Sequence, residues 1–370
     1  MLGVGLWLAV LQGYAPSPSW STPDRWHAHE MLFGFASAAV AGFLLTSVPV
    51  WTGRPAVSGS RLVALVLLWL AARIAIFFAE ALPAPWLAAL LDVGFLAVVA
   101  AAIAAPIRVS RSRRNAVFPL LLLLLAGANL LMHLTALGLD PALGRAGSKL
   151  GVGILVLLVS ILGGRLIPLF TGNALKRSGV DRSVTRVVWA DRAAGPLLAA
   201  FFLVDALSPG SALGGALACG AAVTLAARVR GWGLREAAGD PLLWSMHAAY
   251  GWIPLGLAAL GLSAFGLPIP ASAALHALTV GGIGGMILAI MSRVALGHTG
   301  RPFRAPRGMA LAYLLVHGAV LVRVGVPALF PAWSVSSWLV SGTLWLAAYA
   351  IFLAIYAPFL VAPRVDEPAG

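Results

Sequence analysis

The chain has 370 residues, of which 61% are hydrophobic and only 10% charged, and its formal net charge is +13. Its mean hydropathy of +0.95 exceeds what a water-soluble domain can bury, so a polytopic membrane protein is predicted. The single cysteine, Cys219, excludes intrachain disulfides, thiolate-ligated iron–sulfur clusters and zinc fingers. The first residues lack a basic segment and an evident cleavage site, so no signal peptide is predicted.

Twelve apolar segments, bounded by Pro, Gly or Arg, predict the transmembrane helices of one all-α membrane domain over residues 1–370. In chain order they are 1–14, 27–50, 60–82, 86–105, 115–138, 149–171, 190–207, 210–229, 241–264, 270–297, 307–330 and 335–361. The first segment is short for a span. The lipid bilayer is therefore the predicted environment of nearly the whole chain.

Basic residues are concentrated in alternate loops between these segments. Sixteen of them are Arg54, Arg61, Arg108, Arg111, Arg113, Arg114, Lys176, Arg177, Arg182, Arg186, Arg228, Arg230, Arg235, Arg301, Arg304 and Arg307. The other loops contain only Arg25, Arg145 and Lys149. The positive-inside rule predicts that the basic loops and both termini are cytoplasmic. The net charge therefore indicates topology, and no nucleic-acid partner is predicted.

Three outside-to-inside segments end in Thr-Gly and align without gaps, at residues 29–53, 148–172 and 276–300. The aligned positions pair Gly34 with Gly153 and Gly281, His29 with His276, Arg165 with Arg293, and Pro49 with Pro168. This pattern predicts three repeats of four helices, an architecture similar to that of subunit I of the haem–copper oxidases. The alternative is a shared membrane-exit signal combined with chance matches of glycine.

Four of the seven histidines map to the outer half of their helices, namely His27, His29, His133 and His276. His317 lies in the middle of a span, and His247 and His298 lie toward the cytoplasm. Ionisable side chains inside a membrane are costly and usually face a functional interior, so four at one depth predict a metal or haem site. The alternative is that each is a hydrogen-bonded packing residue.

Imidazole binds copper, iron and zinc, and it is an axial ligand of haem. No CxxCH motif is present, which excludes a covalent c-type haem. The equivalent positions of His29 and His276 predict a b-type haem between them. His27 points about 200° away from His29 on an ideal helix and, at a frayed helix start, is predicted to bind a more superficial metal with His133. Glu30 is predicted to ligate, take a proton, or orient an imidazole.

Two arginines, Arg165 and Arg293, each lie seven residues before the glycine of Thr-Gly in their segments. One interpretation is that they reach toward anionic lipid headgroups, and the other is that they pair with a buried acidic group or anion, such as that of a bound cofactor. Arg73 and Asp92 lie in adjacent spans near mid-membrane. These two residues are predicted to form a structural ion pair.

Three stretches, "HAHEMLFGFASAAVAGFLLTSVPVWTG", "GGRLIPLFTGNAL" and "ALHALTVGGIGGMILAIMSRVALGHTGRP", together with "PLLWSMHAAYGWIPLGL", resemble the NnrS family over nearly the whole chain. That resemblance implies a twelve-helix bacterial inner-membrane protein that contains haem and copper and acts in the response to nitric oxide and nitrosative stress. The motif positions are His27, His29, Glu30, His133, His247, His276 and His298. The short first span departs from the family pattern.

Three functional hypotheses follow from these observations. The first is a haem- and copper-containing protein that binds or reduces nitric oxide, and so an oxidoreductase if it turns over. The second is a metal-free secondary transporter, a class that also has twelve spans and internal repeats. The third is a haem or copper sensing or insertion factor without turnover. An optical spectrum with metal analysis separates the first from the second.

Overall fold

The computed structural model describes residues 1–180 and 183–366, and no β-strand occurs in that part of the chain. Arg182, one of the loop residues in the charge pattern above, lies outside the described residues. The contacts divide the chain into two compact units, Leu2–Leu158 and Val159–Gly370. Each unit is described separately below, and the single domain over residues 1–370 stays a prediction.

The helices follow the predicted apolar segments closely. Those of the first unit are α1 (Leu2–Leu11), α2 (Pro23–His29), α3 (Ser37–Thr52), α4 (Ser60–Phe77), α5 (Trp86–Val109), α6 (Val117–Ala136) and the start of α7 (Pro141–Arg177). The second unit contains the rest of α7, then α8 (Val188–Leu207), α9 (Ala212–Val229), α10 (Leu234–Ala237), α11 (Pro241–Ala264), α12 (Ala271–His276), α13 (Gly285–His298), α14 (Met309–Leu329) and α15 (Ser334–Val361). A π-helical segment, Glu30–Ala36, joins α2 to α3, and another, Ala277–Gly284, joins α12 to α13.

Nine helical segments of the described chain are long and apolar enough to cross a membrane. They are Pro23–Thr52, Ser60–Phe77, Trp86–Val109, Arg113–Ala136, Pro141–Arg177, Ala212–Val229, Ala271–His298, Met309–Leu329 and Pro331–Val361. The other three predicted spans are also helical, but α1 has only 10 residues, α8 carries three charged residues and α11 contains polar and aromatic side chains. A multi-pass membrane protein is therefore supported, and the count of twelve spans stays a prediction.

The second predicted span begins earlier than the sequence pattern indicated. Thr22 is the N-cap of α2, and Pro23 occupies the first helical turn, where its missing N–H costs nothing. His27 therefore lies within a helix, and its predicted position at a frayed end is wrong. The ring of His27 stacks on Trp7 of α1, with a centroid separation of 4.7 Å. At the other end, Gly53 ends α3 in the left-handed conformation that glycine adopts without strain.

In the first unit, α5 packs against α3, α4 and α6. Alanines on its buried face, among them Ala88 and Ala100, let the neighbouring helices approach closely. This close approach brings the polar residue of α5, Asp92, against the side chains of α4 and α6. The candidate site lies at this junction.

In the second unit, α11 packs against α9, α12, α13 and the π-helical segment Ala277–Gly284, while α14 pairs with α15. Gly215 of α9 and Gly261 of α11 form a small-residue crossing. A Cβ atom built on Gly261 would lie 2.9 Å from the carbonyl oxygen of Gly215 and 2.5 Å from Sγ of Cys219. The single cysteine is therefore a packing residue at a helix crossing.

Arg228 was counted above among the loop residues, and that assignment is wrong. It lies in the last turn of α9 and is 8% exposed. Its Nε donates to Asp191 over 2.5 Å, and its Nη1 donates to the carbonyl oxygen of Ser160 and to the hydroxyl of Tyr250. A Cβ atom on Gly164 of α7 would overlap the guanidinium group. The last turn of α9 faces other helices, so the Arg228 side chain contributes to helix packing in addition to its positive charge.

The two π-helical segments begin directly after His29 and directly after His276, the two histidines that the repeat alignment pairs. A π-turn frees a backbone carbonyl from the usual ladder, and in each segment an aromatic side chain donates to one. Trp69 Nε1 donates to Gly34 over 2.9 Å, and the Tyr349 hydroxyl donates to Gly284 over 2.8 Å. The third aligned segment, 148–172, is α-helical throughout. The threefold repeat therefore stays a prediction, with support at two of its three positions.

Candidate metal centre

Three side chains of the first unit meet in a buried group that we call the His–Asp cluster: His29 at the end of α2, Asp92 on α5 and His133 on α6. None of them is more than 1% exposed. One ligand atom from each lies within 4.8 Å of the others. The Nε2 atoms of both imidazoles lie 3.0 Å from Oδ2 of Asp92. Among the described residues, this is the one group of three metal-ligating side chains so arranged.

Asn129 holds the cluster together from one side. It lies four residues before His133 on α6, so the two side chains share a helix face. Its Nδ2 donates to Oδ2 of Asp92 over 2.7 Å, and its Oδ1 lies 2.8 Å from Nε2 of His29. A buried amide needs both its donor and acceptor satisfied. The partners of Asn129 therefore determine how its amide is oriented.

The predicted ion pair between Arg73 and Asp92 is confirmed, and it extends to Glu30. Arg73 of α4 donates through Nη2 to Oδ1 of Asp92 and through Nη1 to Oε1 of Glu30, the latter over 2.6 Å. A Cβ atom on Gly34 would lie 2.9 Å from Nη1 of this arginine and 3.1 Å from Oε2 of Glu30. Glycine at this position therefore leaves the space that the guanidinium occupies.

The formal charges of this group do not balance. One guanidinium faces two carboxylates, those of Glu30 and Asp92, so with neutral imidazoles the group carries one excess negative charge. A buried unpaired charge is costly. A bound monovalent cation, or a proton on an imidazole, restores neutrality.

The two imidazoles differ in the partner of their Nδ1 atom, which is an acceptor at His29 and a donor at His133. Nε2 of His29 faces two acceptors, Oδ1 of Asn129 at 2.8 Å and Oδ2 of Asp92 at 3.0 Å, so without a metal this nitrogen carries a proton. Glu30 Oε1 lies 3.4 Å from Nδ1, and it can accept the Nδ1 proton when Nε2 releases its own to ligate, an arrangement common in metal sites. At His133, by contrast, the indole N–H of Trp20 donates to Nδ1 over 3.2 Å. The proton of neutral His133 is then on Nε2 and points to Asp92. Ligation through Nε2 of His133 requires that the bond to Trp20 break.

The spacing suits a single ion better than a macrocycle. Ligand atoms at about 2.0 Å from a tetrahedral metal are roughly 3.3 Å from one another, close to the 3.0 Å between each Nε2 and the carboxylate oxygen. The ring of His29 is enclosed by Trp20, Phe33 and His133, with centroids 4.4 to 5.3 Å away. A haem at His29 requires these rings to move.

The other histidines predicted for the site lie elsewhere. His27 points to another side of α2, as the helical geometry predicted, and it is not part of the cluster. His247 is buried on α11, with ring nitrogens 3.0 and 3.3 Å from the backbone carbonyl oxygens of Leu243 and Trp232. His298 is exposed at the end of α13. None of these three joins a group of metal-ligating side chains in the described chain.

His276 and the two predicted cofactor-binding arginines are in the second unit. Nδ1 of His276 lies 2.7 Å from the carbonyl oxygen of Ser272, and Arg323 Nη2 lies 3.4 Å from Nε2 of His276. Arg165 is half-buried on α7. Arg293, which is 3% exposed, lies between two phenylalanine rings, and its Nε and Nη1 have no hydrogen-bond partner in the described residues. Arg293 therefore lies within the protein and does not extend to the headgroups.

Sequence reasoning missed Asn129 and Trp20, and it treated Asp92 as structural only. Asn129 carried a usable signal, because it lies one helical turn before His133 in an apolar span. Trp20 lies in the loop before α2, where a tryptophan is also expected as an interfacial anchor. No local pattern could have connected it to His133.

The model of one protein family, described as NnrS protein, matches residues 1–364 of the chain. No curated protein matches it.

Proposed function

The chain belongs to the NnrS family, and on this premise we propose that it is a copper- and haem-binding protein of the bacterial inner membrane that acts in the nitric oxide response. The observation that carries the proposal is the His–Asp cluster with its excess negative charge, buried in a segment apolar enough to span a membrane. A cation is the ligand that such a group favours.

Copper is the proposed ion of the His–Asp cluster. Its donor set is two imidazole nitrogens and one carboxylate oxygen, and copper binds such nitrogen and oxygen ligands more tightly than the other divalent metals of the first transition row. Glu30 supports this assignment, since it is positioned to hold the Nδ1 proton of His29. Arg73 holds both carboxylates in place by donating a hydrogen bond to each.

Haem b is the second proposed cofactor, as the family implies. We propose His276 as its axial ligand, since the contacts of His29 favour a single ion at that residue. Arg165 and Arg293 are proposed to pair with acidic groups of the cofactor. Arg293 supports this proposal, because its buried Nε and Nη1 atoms lack hydrogen-bond partners in the described residues.

Bound copper supplies a coordination position for nitric oxide and one-electron chemistry. The residues of the chain exclude water from the site, hold the imidazoles in register and retain the compensating charges. We propose that nitric oxide, a small uncharged molecule, reaches this site through the bilayer and is bound there, or is reduced to nitrous oxide and water with electrons and protons from an external one-electron donor and solvent. The inner-membrane location and cytoplasmic termini are part of this proposal. Reporter fusions after Arg113 and after Lys176 are expected to report cytoplasm, and one at Pro141 the outside.

A metal-free transporter is the alternative that one specific observation favours. Every ring nitrogen of His29 and His133 already lies near a protein partner, and a proton on His29 neutralises the group as well as a metal does. In that case the His–Asp cluster carries protons across the membrane. A sensing or insertion factor is the remaining alternative, and it binds the metal without consuming nitric oxide.

Purified full-length protein, loaded with copper and haem, provides the test. We expect about one copper per chain, a Soret band, and consumption of nitric oxide by the reduced protein under anaerobic conditions. His29→Ala and His133→Ala are expected to lose the copper, His276→Ala to lose the haem, and Asp24→Asn, an exposed acid of α2, to retain both. Absence of copper from the loaded wild type, or full copper in both cluster variants, refutes the metal assignment. Copper and haem without turnover indicate a sensing or insertion factor.

A further inference from the structure

A cavity of about 550 Å³ lies in the first unit where α5 ends and α6 begins. We call it the arginine pocket, because Arg108, Arg111 and Arg113 line its mouth. It lies at the ends of two candidate membrane spans, Trp86–Val109 and Arg113–Ala136. The same two helices carry Asp92 and His133 at other positions, and the His–Asp cluster uses none of the residues that line the pocket.

The mouth of the pocket has strong positive charge and no compensating acid. All three arginines are exposed, and no acidic residue lines the cavity. None of the three side chains forms an ion pair or a hydrogen bond with another described residue. Arg111 adopts a φ of 54°, the one left-handed residue other than glycine in the described chain. This sharp turn bends the chain so that the residues on both sides of it border one opening.

The wall of the pocket has the opposite character. Ala101, Ala104 and Ala105 of α5 line it, and their spacing places them on one face of the helix. With a rise of 1.5 Å per residue, this face runs about 10 Å from the arginines toward the middle of the span. Small side chains there leave an apolar groove that continues from the charged mouth.

A cationic mouth that continues into an apolar groove is complementary to an amphiphile with an anionic head. A free phosphate would use the mouth alone, and an acidic peptide would not match a groove that enters a membrane span. Basic pockets between transmembrane helices on the cytoplasmic side are typical sites for acidic lipid headgroups, and the positive-inside pattern assigns this end of α5 to that side. We propose that the arginine pocket binds an anionic phospholipid, with its phosphate on the arginines and an acyl chain along the alanine face.

The test is lipid binding to the full chain in detergent, measured by native mass spectrometry. Phosphatidylglycerol and phosphatidylcholine with identical acyl chains are titrated separately, and glycerol phosphate serves as a headgroup without a tail. The double variant Arg108→Gln/Arg113→Gln removes two charges from the mouth. Arg54→Gln/Arg61→Gln removes two exposed charges, one from the loop between α3 and α4 and one from the first turn of α4. Unchanged thermal midpoints establish that the variants are folded.

We expect the wild type to prefer phosphatidylglycerol. Removing the two pocket arginines should weaken that binding about thirtyfold, because it removes the usual contribution of two basic residues near a membrane surface. The Arg54→Gln/Arg61→Gln variant should bind phosphatidylglycerol about as tightly as the wild type. Ala105→Phe fills the groove and keeps every charge, and it should also weaken the binding of phosphatidylglycerol. Equal binding of the two lipids, or equal losses in both double variants, overturns the proposal. The proposal is also overturned if Ala105→Phe binds phosphatidylglycerol as tightly as the wild type and glycerol phosphate binds as tightly as the lipid, because the site then recognises phosphate alone.

Discussion

Asp92 is the residue whose replacement tests the His–Asp cluster most directly, because it contacts four other side chains. It accepts from Arg73 and Asn129, and its Oδ2 lies 3.0 Å from the Nε2 atoms of His29 and His133. Asp92→Asn keeps the size and one oxygen acceptor but removes the negative charge. Asp92→Ala removes the contacts altogether. Comparison of the two variants separates the effect of the negative charge from the effect of the hydrogen bonds that Asp92 makes.

The magnitudes follow from the contacts. Asp92→Asn leaves Arg73 paired with Glu30, so the group becomes neutral without a metal, and we expect a loss of about 1–2 kcal/mol from imperfect hydrogen bonding. Asp92→Ala leaves a buried guanidinium short of a partner and an amide donor unsatisfied, which typically costs about 3–5 kcal/mol. Copper affinity should fall by more than about 100-fold in both, since loss of a ligand exceeds the 10- to 100-fold effect of an outer contact.

The assay combines copper titration in detergent with unfolding of the same samples, and Asp24→Asn is the matched control. The expected order of stability is wild type, then Asp92→Asn, then Asp92→Ala, with copper binding lost in both Asp92 variants. Wild-type copper affinity in Asp92→Asn would show that the carboxylate is not a ligand. Equal stability of the two Asp92 variants would show that the hydrogen bonds retained in Asp92→Asn contribute little.

Three further predictions rest on neighbouring contacts. Glu30→Gln should weaken copper binding by about 10- to 100-fold without abolishing it, and a copper titration that matches the wild type would contradict the proposed role in orienting the imidazole. Trp20→Phe removes the indole donor that opposes ligation, so copper affinity should rise by about fivefold, for a hydrogen bond of about 1 kcal/mol; a fall in affinity would mean that the indole supports the site. Gly164→Ala should lower the free energy of unfolding in detergent by about 2–4 kcal/mol, because the added methyl group overlaps the guanidinium of Arg228. The control Gly251→Ala adds its methyl group in open space and should raise that free energy by up to about 1 kcal/mol. Equal effects of the two substitutions would refute the close approach of Arg228 to Gly164.

The positions of the helices along the chain were largely predictable, for a simple physical reason. A chain inside a bilayer must satisfy its backbone hydrogen bonds within each segment, so long apolar runs become helices. All twelve predicted segments are helical, and their ends follow local chemistry. The helix α2 begins at Pro23, four residues before the predicted start, because proline is favoured in the first helical turn. A search for apolar residues alone does not detect this signal.

The candidate site was only partly predictable. Depth along a span follows from residue number, and it correctly drew attention to His29 and His133 and paired Arg73 with Asp92. The side of the helix on which a neighbour lies does not follow from residue number, so His133 was assigned to His27 when its ring meets His29 instead. A similar error placed Arg228 in a loop when its last helical turn faces Asp191 and Tyr250.

The sequence by itself determined that the chain is a helical membrane protein of the NnrS type and which residues bear metal-binding side chains; the depth of each residue stays a prediction. Only the tertiary structure decided which of them meet. Composition and hydropathy depend on position along the chain, and in a membrane-spanning helix that position predicts depth in the bilayer. A metal site depends on the rotation of each helix about its axis and on the neighbour it packs against, and small residues such as those of α5 set these through contacts far apart in the chain.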